Sequence, residues 1–278
     1  MKTKFTIFLF SMILFVSCNS REKEEKQADV LLKKIEQLIS ENNLNAAKIE
    51  IDSLHLLYPR LVKKRKIAAS FEDTIVVREN TRTLKYYEQI LPKIQQTADS
   101  IQKNFKLEKD DSYQQYGNYV YKTQRTENNT DRNYLKAYVD ENCDFYLISN
   151  YSGTKIEHIA IEVSGNNSFA QTDTILISNP ANHSFTDSGI RWETITFKND
   201  AENGVASFIS QFANMQLKVT LKGKKTYSYY LATSDKNAIS ASYHLWIVKK
   251  DILKIQKEIK KAALKIERIK NQANKEQN

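Results

Sequence analysis

The chain has 278 residues, a formal charge of +9 and 41% apolar residues, which is the composition of a globular protein with a sizeable hydrophobic core. Its glycines number six, and no two of them lie closer than twelve residues. This spacing excludes every glycine-rich phosphate-binding loop.

The first seventeen residues have the form of an export signal. Lys2 and Lys4 precede an apolar stretch at residues 5–16, which is shorter than the about 20 residues that span a bilayer. Residues 15–18, Phe-Val-Ser-Cys, resemble the lipobox of bacterial lipoproteins, although leucine is usual at the first position. The resemblance implies a signal peptide over residues 1–17 and lipidation of Cys18. An ordinary signal peptide with an accidental cysteine is the alternative.

A lipid anchor at Cys18 would attach the chain to a membrane, because two or more acyl chains anchor stably. Cys143 would then be the one thiol left, so we expect no intramolecular disulfide. Residues 18–21 form a short spacer. The charged residues 21–26 resemble the export signals of surface lipoproteins, and the start of a helix of mixed charge is an equal alternative.

Residues 22–111 are predicted to be helical. Apolar residues recur every three or four positions on both sides of a polar break at residues 41–45, which predicts a hairpin of two antiparallel helices. A longer helix follows over residues 80–107, with an apolar seam of coiled-coil type from Leu84 to Phe105. Pro92 lies inside the seam and predicts a kink or a restarted helix.

Residues 112–232 are predicted to form a β-rich domain. Twelve of the fifteen tyrosines lie at or beyond Tyr113, and alternating apolar and polar residues indicate at least seven strands. The predicted strands are Tyr134–Val139, Phe145–Tyr151, Lys155–Val163, Thr172–Ile177, Trp192–Phe197, Leu217–Leu221 and Thr226–Leu231, with a short helix within Asn203–Asn214. Since no crossover helices separate them, we expect an antiparallel sandwich or barrel.

Residues 233–278 are predicted to form one long helix. Its apolar seam runs from Ala238 to Ala273 in steps of three and four without a charge, so the helix needs a partner. We expect it to pack antiparallel on the 80–107 helix. The fold class is therefore α+β, with an antiparallel β-sandwich-like domain inserted between long helices that pack as an antiparallel coiled coil.

The positive charge is concentrated in the last helix, where residues 247–278 hold ten basic and four acidic side chains. An exported chain meets little nucleic acid, so a solvated helix face is the simpler explanation and we expect no nucleic-acid partner. The second basic cluster, at residues 63–66, is a candidate for contact with anionic lipid headgroups, with an ordinary solvent-facing helix turn as the alternative.

No pattern of catalytic, cofactor-binding or metal-ligating residues emerges. The four histidines are widely separated, and neither HExxH nor CxxC is present. Cys143 follows Asn142 at a predicted hairpin turn, where glycine is preferred. Its acidic neighbours do not favour a reactive thiolate, so a neutral turn residue is the preferred interpretation over a reactive thiol.

Five carboxylates of the β-rich domain keep a hydrolase open as an alternative, because a glycosidase pair is defined by its separation in space. Solvent-facing strand positions are the simpler explanation for each of them. They are Glu157, Glu162, Asp173, Asp187 and Glu193.

Three segments, residues 51–60, 116–120 and 149–153, resemble uncharacterised lipoproteins of Bacteroides-like Gram-negative bacteria. The resemblance implies an outer-membrane lipoprotein facing the periplasm or the cell surface, and it carries over no catalytic residue. The leading hypothesis is a non-enzymatic module on a helical stalk that binds an envelope protein or a glycan. A glycan- or cell-wall-directed hydrolase is the alternative, and self-association through the long helices is a third.

Overall fold

A computed structural model describes residues 2–124, 129 and 132–277, with side chains from residue 21 to residue 275 within these ranges. The side chains of residues 1–20 are outside this description. The signal peptide predicted over residues 1–17 and the lipidation predicted at Cys18 therefore stay predictions. The described residues form a mixed α+β fold of five α-helices and ten strands. The helices are α1 (Lys2–Ser40), α2 (Leu44–Leu57), α3 (Val62–Gln102), α4 (Val205–Gln211) and α5 (Thr233–Gln277).

The strands all pair antiparallel, in two sheets. The large sheet has the order β1-β2-β3-β4-β8-β7, and the small sheet has the order β10-β9-β5-β6. The strands are β1 (Phe105–Glu108), β2 (Asn118–Tyr121), β3 (Tyr134–Asp140), β4 (Phe145–Gly153), β5 (His158–Gly165), β6 (Ser168–Gln171), β7 (Asn182–Asp187), β8 (Ile190–Lys198), β9 (Lys218–Gly223) and β10 (Tyr227–Tyr230).

The chain divides into two compact units. The helical unit comprises Met1–Glu88 and Lys257–Asn278, and the β unit comprises Gln89–Gln256. Helices α3 and α5 contribute residues to both units, so each unit has its own part of the two long helices.

In the helical unit, α1 and α2 form the predicted hairpin around a turn at residues 41–43, where Asn42 has a left-handed φ of 60°. Asparagine tolerates this conformation better than other side chains do. The apolar residues spaced by three and four close over a core that includes α3. Its buried members are Leu32, Ile35, Ile39, Leu44, Ala47, Ile51, Leu54, Ala68 and Ile75.

In this unit, residues 70–78 of α3 and residues 269–275 of α5 line one cleft of about 790 Å³, so the last part of α5 lies beside α3. In the β unit, the Asp99 carboxylate near the end of α3 acts electrostatically on Lys249 of α5. The buried residues Leu245, Ile255 and Ala262 belong to the predicted seam of α5. The charge-free pattern therefore identifies the packed face of this helix.

In the β unit, the two sheets face each other as a sandwich with one hydrophobic core. Residues of alternating strand positions, such as Val139 and Phe197 of the large sheet and Val163 and Leu221 of the small sheet, are buried in this core. Helices α4 and α5 add to it, since Ile209 and Ile239 belong to the same cluster. The predicted fold class is confirmed.

Three local predictions differ from the structure. The helical region predicted to residue 111 ends at Gln102, because residues 105–108 pair with β2 instead. Helix α3 runs through Pro92 as one helix, so the predicted restart is wrong, and the alternative of a kink stays a prediction. The strand predicted at residues 172–177 does not form, because the Asp173 amide donates to Ala201 and the Ile175 amide donates to Ile159, so no single ladder is made.

The other predicted strands and the short helix are confirmed within a few residues. Residues 141–144 join β3 to β4, and Cys143 in this turn has a φ of 66°. This conformation favours glycine, so the expectation of a glycine-like turn position at Cys143 agrees with its backbone.

Candidate functional site

The small sheet buries one face and exposes the other. Ile161 and Val163 of β5 and Val219 and Leu221 of β9 point into the core. Because successive side chains on a strand alternate, the residues between them point outward. We call this outward side the small-sheet face.

One row of side chains crosses the whole small-sheet face. Tyr230 of β10 lies opposite Lys218 of β9, Lys218 lies opposite Ser164 of β5, and Ser164 lies opposite Phe169 of β6. We call these four residues the cross-strand row. Its two ends are aromatic and exposed, with 63% of Tyr230 and 65% of Phe169 accessible to solvent. Three strand spacings of about 4.8 Å place the edge strands about 14 Å apart.

The floor between the two aromatic side chains is polar. The cross-strand row lines a shallow depression of about 480 Å³ together with neighbouring polar residues. Amide side chains are prominent among these neighbours, which are Glu162, Asn166, Asn167, Ser168 and Gln216. Amides both donate and accept hydrogen bonds, so the floor offers both functions to a ligand.

Lys218 is the cation at the centre of the row, and among the described residues its ammonium group makes no ion pair or hydrogen bond. The neighbouring Lys222 is engaged differently, because its Nζ lies 2.6 Å from Glu162 Oε2 and 2.5 Å from Gln171 Oε1. The charges of Glu162 and Lys222 therefore neutralise each other, and the exposed Lys218 gives the face its net positive charge.

The β5–β6 turn shapes one end of the depression. Asn166 and Asn167 both adopt left-handed backbone, with φ of 50° and 57°, which asparagine tolerates. At Gly165, a Cβ atom would lie 2.6 Å from Leu217 Cδ2, so glycine allows β5 to approach the residue before β9. The turn thereby places the two amide side chains beside Phe169.

Three of the five candidate carboxylates are engaged by basic side chains. Glu157 is bound by Lys224 at 2.6 Å and by Lys155 at 2.9 Å, and these two lysines lower its pKa to about 2. Glu162 pairs with Lys222, and Asp173 and Asp187 are exposed. The solvent-facing position expected for Glu193 is wrong, because this side chain is only 2% exposed.

Glu193 belongs to a buried polar chain that joins the two sheets. Its Oε2 lies 2.9 Å from His158 Nδ1, and His158 Nε2 lies 3.1 Å from Ser149 Oγ. The carboxylate also accepts the backbone N–H groups of Ile156, Glu157 and His158 at 2.9–3.0 Å. Ser149 and Glu193 are on the large sheet, and His158 begins β5 of the small sheet. The hydrogen bonds among these three side chains therefore connect the two sheets.

The pKa shifts of His158 and Glu193 indicate which of these two groups carries the proton. Burial lowers the pKa of His158, and the Glu193 carboxylate offsets this only in part, so the imidazole is neutral. Burial alone would raise the pKa of Glu193, but the hydrogen bonds from His158 and the three amides outweigh it and lower the pKa. The ionised carboxylate therefore accepts from Nδ1–H, and Nε2 accepts from the serine hydroxyl.

Ser149, His158 and Glu193 have the connectivity of a serine-hydrolase triad, yet all three are buried at 2% exposure or less. A nucleophile must contact its substrate, and this hydroxyl lies in the sandwich core. The chain of hydrogen bonds therefore acts as a structural link. This link could not be predicted from the sequence, because Glu193 lies 35 residues after His158 and only the pairing of β4 with β8 brings it close.

Cys143 is half-buried at the β3–β4 turn, where Trp246 Nε1 donates to its carbonyl at 3.1 Å. Burial raises the pKa of the thiol, and Lys249 offsets this only in part. A raised pKa disfavours the thiolate, which supports a turn role over a reactive thiol.

Two kinds of feature are absent from the residues that the structure describes. No group of three or more histidine, cysteine or carboxylate side chains comes together there in a way that suits a metal ion. Among the same residues, no helix combines the length and apolar composition needed to cross a bilayer.

Comparison with known proteins gives no relative for this chain: no family model, no curated protein and no solved structure matches it significantly.

Proposed function

We propose that this chain is a lipid-anchored protein of the bacterial cell envelope that binds a glycan on the small-sheet face and is not an enzyme. The cross-strand row is the observation that carries this proposal. Two exposed aromatic rings at the ends of a polar floor suit a sugar chain, whose C–H faces pack on aromatic rings and whose hydroxyls bond to amides, hydroxyls and a lysine.

The anchor rests on the sequence alone, through Cys18 and the apolar stretch before it. Its test is the mass of the chain purified from bacterial membranes. The proposal requires loss of residues 1–17 and addition of acyl chains, and a Cys18→Ala variant must lack both. A membrane-derived chain with an intact leader or an unmodified Cys18 would remove the anchor from the proposal.

Glycan binding is tested by co-sedimentation of the detergent-solubilised full chain with insoluble peptidoglycan sacculi, and by titration with soluble acidic and neutral polysaccharides. We expect one of these glycans to bind, and Tyr230→Ala with Phe169→Ala to weaken binding about tenfold or more. Each stacked aromatic contact is worth about 1 kcal/mol, and the two act on the same ligand.

Tyr113→Ala provides the matched control. This tyrosine is 89% exposed in the β unit, lies outside the cross-strand row and lines no part of its depression. Equal loss of binding in the control and in the double variant, or no binding to any of these glycans, would contradict the proposal. Binding of an envelope protein that the double variant abolishes would replace the glycan with a protein ligand.

A further inference from the structure

The C-terminal part of α5 carries a second exposed surface, which belongs to the helical unit and is independent of the glycan proposal. Six side chains spaced by three and four positions lie on one side of the helix and together line a shallow depression of about 420 Å³. They are Lys257, Lys260, Lys261, Leu264, Lys265 and Arg268, and we call them the basic face.

The basic face lies opposite the packed seam of the same helix. Ile259, Ala262, Ile266 and Ile269 are buried or half-buried, whereas all six members of the basic face are exposed. At about 100° per residue, Leu264 projects on the side opposite Ala262 and its neighbours in the seam. The basic face is therefore free of the contacts that hold α5 in the fold.

The charge on this face is largely uncompensated. Among the described residues, Glu258 pairs with Lys261 at 3.8 Å, and no ion pair engages the other four cations. The cluster at residues 63–66 differs, because Lys64 pairs with Asp29 and Arg65 donates to His55 Nδ1 at 3.0 Å. The basic face is thus the better candidate for an anionic partner.

Leu264 narrows the class of partner. Leu264 is 55% exposed among five basic side chains, so part of its apolar surface stays in contact with water, which is unfavourable. A membrane surface meets both features, because lipid phosphates attract the cations and the acyl boundary accepts the leucine. Lysine stems also lie along such a boundary while their ammonium groups stay in water.

From this combination, we infer that the basic face binds an anionic phospholipid surface. The test uses the full-length chain reconstituted in vesicles, with a Leu264→Cys substitution carrying an environment-sensitive fluorophore, and with Cys18→Ser and Cys143→Ser to prevent labelling at these positions. We expect a blue-shifted, brighter emission in vesicles that contain phosphatidylglycerol and not in pure phosphatidylcholine. High salt must reverse the change, since screening shortens the reach of the charges.

Two charge variants decide whether the face itself is responsible. Neutralising Lys257, Lys260, Lys261, Lys265 and Arg268 to glutamine must abolish the emission change. The control neutralises five exposed lysines elsewhere, at positions 23, 33, 85, 93 and 225, and must leave it within about twofold. Equal loss in both variants, or equal emission in both kinds of vesicle, would overturn the inference. The same emission change with soluble heparin and no vesicles would assign the face to a polyanion instead of a membrane.

Discussion

The guanidinium of Arg132 binds the carboxylate of Asp235 through two hydrogen bonds, Nη1 to Oδ2 and Nη2 to Oδ1, each 2.6 Å long. Asp235 is fully buried in the first turn of α5, and Arg132 lies just before β3. The pair therefore fixes the start of the last helix to the large sheet. The hydrogen bond from Arg132 to Asp235 raises the pKa of Arg132. The Asp235 carboxylate also interacts favourably with the positive N-terminal end of α5.

We predict that Asp235→Asn lowers the free energy of unfolding by about 3 kcal/mol, because removal of one partner leaves a partly buried cation without its counterion. Urea denaturation followed by circular dichroism measures the loss. Glu22→Gln serves as the control, since it breaks an exposed pair with Lys26 and must cost less than about 1 kcal/mol. A loss for Asp235→Asn as small as that of the control would show that the pair does not hold α5.

The His158–Glu193 link predicts a loss of stability in acid. Because burial lowers the pKa of folded His158 below its ordinary value of 6.5, the unfolded chain binds a proton first as the pH falls. Stability therefore begins to fall below about pH 6.5. The lowered pKa of Glu193 adds a contribution that is present above its ordinary value of 4.5 and is lost as the pH falls through the folded pKa.

The measurement is the urea midpoint across about pH 5 to 8, where histidine titrates. His158→Gln must flatten the fall below pH 6.5, whereas His183→Gln, which changes an exposed histidine, must keep it. If both variants keep the slope of the parent, the buried histidine is not its source.

Cys143 is predicted to react slowly with thiol reagents. Burial raises its pKa, so we expect the folded chain to react with Ellman's reagent at least about tenfold more slowly than glutathione. A Cys18→Ser background removes the other thiol from the assay. Denaturation in urea must restore the rate of a free thiol, and a fast reaction in the folded state would indicate an accessible thiolate instead.

Gly223 is predicted to be intolerant of a side chain. A Cβ atom there would lie 2.3 Å from the carbonyl oxygen of Glu157, in the backbone of the segment that leads into β5. We expect Gly223→Ala to cost about 2 kcal/mol in the free energy of unfolding, because β9 must move away from β5. Gly189→Ala is the comparison, since its Cβ would meet nothing within 4 Å and its φ of 80° costs about 1 kcal/mol.

The helical elements were accessible from the sequence because their information is local. The charge-free steps from Ala238 to Ala273 identify the packed face of α5, and three asparagines identify the α1–α2 turn. The short strand β1 could not be predicted in this way, because its pairing with β2 is not visible in the local pattern. Phe105 continues the spacing of the α3 seam, and nothing local shows that its backbone pairs with Tyr121 of β2.

The candidate site could not be predicted from the sequence, because it is formed by the register between strands that are distant in the sequence. Ser164 and Lys218 meet only when β5 pairs with β9. One local signal does indicate β6: Gly165-Asn166-Asn167-Ser168 has the composition of a tight hairpin turn, which favours a strand directly after it over one at residues 172–177.

The packing of α5 in the core of the β unit has a consequence for how the chain can diversify. Ile239 and Trp246 of α5 belong to the same hydrophobic core as the two sheets, so a change on the inner face of a strand also changes the packing of this helix. Side chains on the small-sheet face point away from this core. Substitutions there can therefore change what the surface binds while the packing of α5 is kept.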